Sequence, residues 1–140
     1  MTTRIDFAVD CSGLTDDGRA FVEAIATKLV YQSPTMFEAL TRTLVHERRC
    51  REAGLTDPVW FTMTADTLAD AEQAARAALV HAGLCTEAAR EQSDQAAGDS
   101  WVAMARVFLA IHSGIVEAVG IDDLRAYRLS QMSPQTAALN

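Results

Sequence analysis

Between Asp99 and Gly120 the chain is apolar on almost every side: Trp101, Val102, Met104, Ala105, Val107, Phe108, Leu109, Ile111, Ile115, Val116 and Val119 leave one narrow line of Arg106, Ala110, Ser113 and Glu117. The steps along that line are four, three and four residues, the spacing of one stripe on an α-helix. A helix so apolar has to be covered by other parts of the fold, so this segment is expected to be a central core helix. A membrane span is the competing reading of any long apolar run. Here Arg106, His112 and Glu117 would each be costly in lipid, and Asp99, Asp122 and Asp123 flank the segment. No membrane partner is therefore expected.

The segments around it read mostly as helices. Twenty-five alanines favour helix over strand, and the three prolines stand where segments begin or end. Thr15 with Asp16 and Asp17 opens a helix to about residue 32, carrying Phe21, Val22, Ile25 and Leu29. Pro34 opens a second helix, which runs to Ala53 and is closed by Gly54, with Phe37, Leu40 and Leu44 as its stripe. Beyond Val45 that stripe fails, so its last two turns are expected in solvent, held by Glu47 with Arg51 and Arg48 with Glu52. Thr64 or Asp66 caps a third helix to His81, closed by Gly83, and Thr86 caps a short polar helix to Ala97. Gly98, Asp99 and Ser100 read as a break before the central helix, and Asp122 starts a last helix to about Gln131.

Two stretches alternate instead. Ile5, Phe7, Val9 and Cys11 alternate with polar or small residues up to Ser12 and Gly13, as in a half-buried strand. Val59, Phe61 and Met63 alternate with Trp60, Thr62 and Thr64, although Phe61, Ala65 and Leu68 also fit a helix. The expected fold is accordingly all-α: one domain over 1–133, a bundle of five or six helices around 99–120. It has room for a minor two-stranded ribbon of 4–11 with 58–63, an extended N-terminal arm over 1–13 and a flexible tail at 134–140.

Charge narrows the partners. The formal net charge is −7; residues 55–140 hold eleven acidic against five basic residues, residues 1–54 eight against seven. Such a surface repels phosphate backbones, so no nucleic-acid partner is expected. Cys11, Cys50 and Cys85 are odd in number and widely spaced, which fits a reducing cytoplasm better than a disulfide framework. Eleven arginines against one lysine give the bias of GC-rich bacterial coding.

Candidate sites are sparse. No Glu lies three residues before any of His46, His81 and His112, no two histidines stand four apart, and the cysteines lack ligand spacing, so neither metal nor cofactor is expected. His112 is the dissonant residue of the central helix and the one candidate for general-base chemistry. An apolar ligand pocket beside that helix would be lined by Trp60, Trp101, Phe108 and His112. Arg42, Arg48, Arg49 and Arg51 form the basic concentration to which an anion or an acidic partner would bind. Cys50 sits among them, one turn from His46.

The expected function is a non-enzymatic protein-interaction module, self-associating as a homodimer or binding another protein in a bacterial cytoplasm. The alternative is a small-molecule-binding protein or cofactor-independent enzyme that uses His112 in the apolar pocket.

Overall fold

A computed structural model describes residues 2–11, 14–29, 33–55 and 59–132. The strand end at Ser12 and Gly13, the turn at Thr56, Asp57 and Pro58 and the tail at 134–140 lie outside these residues, as do the side chains of Phe21, Ile25 and Leu29. The described elements are β1 (Thr3–Val9), α1 (Asp16–Leu29), α2 (Pro34–Glu52), β2 (Val59–Ala65), α3 (Leu68–Glu91), α4 (Gln95–Val119) and α5 (Ile121–Ser130). This is a helical bundle with a minor antiparallel ribbon.

Alternation in the two strands decides their pairing. β1 and β2 run antiparallel with Ile5 opposite Met63, Phe7 opposite Phe61 and Val9 opposite Val59 on one face. That face is buried or nearly so, and the Phe7 and Phe61 rings stack 5.1 Å apart. The other face carries Arg4, Asp6 and Ala8 opposite Thr64, Thr62 and Trp60. Asp6 accepts a 2.7 Å hydrogen bond from the Thr62 hydroxyl across the ribbon.

Against the apolar face lie Phe37, Leu40 and Leu44 of α2 and Phe108, Ile111 and Ile115 of α4, all essentially without solvent contact. α4 also packs along α3 and touches β1, α1 and α5, so the apolar segment of the sequence is the central element. It is the one helix among the described residues long and apolar enough to cross a membrane.

Helix ends differ from the sequence reading in three places. The third helix does not stop at Gly83: α3 continues through Thr86 to Glu91 and takes in the first half of the short polar helix expected over 86–97, whose last residues begin α4. A single glycine costs a helix only about 0.5–1 kcal/mol, which the packing of Ala78, Ala82 and Cys85 on α4 outweighs. The cap of α3 is Thr67, whose hydroxyl accepts from the Asp70 amide at 3.1 Å, in place of Thr64 or Asp66. The break before α4 falls at 92–94, earlier than Gly98; the Asp94 carboxylate accepts from the Ala97 amide at 3.1 Å and starts the helix there. At the other end Gly120 has φ of 99°, a value only glycine adopts freely, and turns the chain from α4 into α5.

At the end of α2, His46, Arg48, Arg49, Arg51 and Glu52 are exposed as expected, and Glu47 is the exception. Glu47 is buried there, because Arg19 of α1, itself 4% exposed, donates from Nε to Glu47 Oε2 at 2.7 Å. Glu47 Oε1 takes Arg51 at 3.0 Å, and Arg19 also reaches Asp16 at 3.1 Å. The expected Glu47–Arg51 pair is thus present, and Arg19 extends it into a chain of charges that joins α1 to α2. Arg48 turns to Glu23 of α1 at 3.4 Å, leaving Glu52.

Candidate functional site

The four arginines of α2 divide into two pairs. Arg48 and Arg51 are neutralised by Glu23, Glu47 and Asp16 of the α1–α2 seam. Arg42 and Arg49 are exposed and have no hydrogen bond or ion pair among the described residues. They stand on one helical line with exposed His46 between them, at steps of four and three residues. Cys50 Sγ lies 3.5 Å from His46 Nε2, within reach of proton transfer, but no third group among the described residues fixes the other ring nitrogen. The line can therefore meet an anion, while the thiol and imidazole lack the orienting partner of a nucleophilic site.

The residues expected around an apolar pocket are not brought together. Phe108 is fully buried, with the His81 ring 5.5 Å away and Phe37 beyond it. Trp101 lines a cleft of about 380 Å³ between the start of α1 and the start of α4, with Thr15, Asp17 and Ser100. Trp60 lines a different cleft, of about 600 Å³, with Arg4, Asp6 and Phe7 of β1 and Gly114, Glu117 and Ala118 of α4. His112 lines neither cleft; its Nδ1 lies 3.0 Å from the Ala75 carbonyl and donates to it, which fixes the register of α3 against α4.

The buried thiols are poorly placed for chemistry. Burial pushes Cys11 up to about 11, with the Glu47 carboxylate adding to the effect, and burial alone pushes Cys85 up to about 11. Among the described residues no three His, Cys, Asp or Glu side chains converge as a metal ion would require.

The structure adds the partners of Glu72 and the exposure of the α4 line. Glu72 is buried on α3 and receives Arg128 of α5 through Nε at 2.8 Å and Nη2 at 3.1 Å, with Arg76 at 3.0 Å. Burial raises the Glu72 carboxyl, but the hydrogen bonds and charges of the two arginines outweigh it and hold the group below the usual carboxylate range. The second feature is on α4. Val102 and Leu109, expected under cover, are 39% and 44% exposed and join Arg106, Ser113 and Glu117 in one open stripe.

The chain matches no protein-family model, no curated protein and no solved structure. The chemistry of the stripe therefore has to be read from its own residues. Arg106 and Glu117 have no hydrogen bond or ion pair among the described residues, so both charges are available to a partner.

Proposed function

We propose that this protein is a non-catalytic interaction module that associates with a second copy of itself. The observation that carries this reading is the open stripe on α4: the most apolar helix of the chain leaves Val102, Arg106, Leu109, Ser113 and Glu117 at the surface. Apolar side chains interleaved with unpaired charges of both signs have the composition of an interface, where the apolar part supplies affinity and the charges supply register. A cytoplasmic setting accords with three cysteines that form no disulfide, two of them buried.

Size-exclusion chromatography with light scattering tests the proposal over a range of protein concentrations. The expected result is a mass twice the 15.2 kDa of the chain. A monomer at every concentration would overturn self-association.

A further inference from the structure

The stripe on α4 has a directional charge pattern. Arg106 and Glu117 are eleven residues apart, about three full turns and about 16 Å along the axis, so they share one side of the helix. The cation is nearer the start and the anion nearer the end. Between them the surface is made of Ala110 and Ser113, small side chains that let another backbone come close, and Leu109 stands to one side of them.

A second α4 laid antiparallel on this stripe meets opposite charge at both ends. We propose that two copies pair through α4 about a two-fold axis passing between Ala110 and Ser113. With Arg106 set opposite Glu117 of the second copy, the same offset sets Ala110 opposite Ser113 of that copy. Symmetry repeats each contact, giving two inter-subunit ion pairs flanking a centre of small residues. A parallel arrangement in register would instead put Arg106 on Arg106 and Glu117 on Glu117. The net charge of −7 works against any contact between copies, so the two attractive pairs also select this approach over others.

This inference rests on the self-association proposed above and adds the surface and its register. The test measures the dimer dissociation constant of the full chain by sedimentation equilibrium for the wild type, Arg106→Glu, Glu117→Arg and the double variant. Both sites are exposed and unpartnered in the protomer, and thermal melts by circular dichroism verify that each variant folds. Each single variant sets like charges opposite one another twice and is expected to weaken the dimer about tenfold or more. The double variant exchanges the charges and is expected to return the constant to near the wild-type value. Arg49→Glu, which changes net charge equally on α2, is expected to leave it unchanged. A wild-type dimer indifferent to the single variants, or a double variant that stays dissociated, overturns the α4 register while leaving self-association standing. Equal weakening by Arg49→Glu also overturns it, since net charge alone would then explain the loss. A monomeric wild type overturns both.

Discussion

Two glycines in helix interiors look alike in the sequence and have opposite roles. At Gly114 an added methyl group would penetrate the Phe7 ring, so the absence of a side chain is what lets α4 lie against β1. Gly114→Ala is expected to destabilise the protein by about 1–3 kcal/mol, the usual cost of overpacking, in urea unfolding followed by circular dichroism. Gly83 is exposed within α3 and an added methyl group meets nothing within 4 Å. Gly83→Ala is expected to stabilise by about 0.5–1 kcal/mol in the same assay, because it removes backbone freedom from the unfolded chain. The Arg19–Glu47 pair is a third residue-scale feature. Both side chains are buried, and Glu47→Leu would leave the guanidinium with only the exposed Asp16. That variant is expected to lose about 3–5 kcal/mol, the cost of a buried charge stripped of its partner. A loss below 1 kcal/mol in urea unfolding would show that the seam between α1 and α2 opens to water.

Among the elements, α5 depends most on a single polar contact. It buries Leu124 and clamps Glu72 with Arg128. The folded carboxyl of Glu72 is depressed, so the clamp is fully present above the unfolded value of about 4.3 and is lost as pH falls through the lower folded value. Stability should therefore decline on the acid side, and Glu72→Gln should remove part of that decline while costing about 1–3 kcal/mol at neutral pH. Unfolding midpoints measured between neutral pH and pH 3 check both.

The elements also differ in how far they could be read from the chain. β1 was legible from its period-two alternation, whereas β2 was one of two readings, since Phe61, Ala65 and Leu68 also fit a helix; pairing with β1 decides for the strand. The α3–α4 turn was not, because Gly83, Gly98 and Asp99 carry stop signals that local propensity takes at face value. Long-range packing of two apolar helices overrides propensities of this size. The polar line of α4 was legible from its spacing. Its exposure was not, since a count of apolar residues cannot say which neighbours arrive to cover Val102 and Leu109. The Arg19–Glu47 contact joins residues 28 apart in sequence and left no periodic trace.

At the scale of the whole molecule, an acidic chain exposes its central apolar helix along one line whose two charges have opposite sign. The antiparallel pairing of two such lines can be read directly by a disulfide, which forms only when Cα atoms approach to about 4.4–6.8 Å. In a Cys50→Ser background the two remaining cysteines are buried, so a thiol introduced by Ala110→Cys is the reactive one. Ala110 lies next to the proposed two-fold axis, opposite Ser113 and three residues along the axis from Ala110 of the second copy. Mild oxidation of this variant should give a covalent dimer in high yield on a non-reducing gel, and adding Arg106→Glu should suppress it. A variant that stays monomeric on oxidation, or that crosslinks equally well with Arg106→Glu, would contradict pairing through α4.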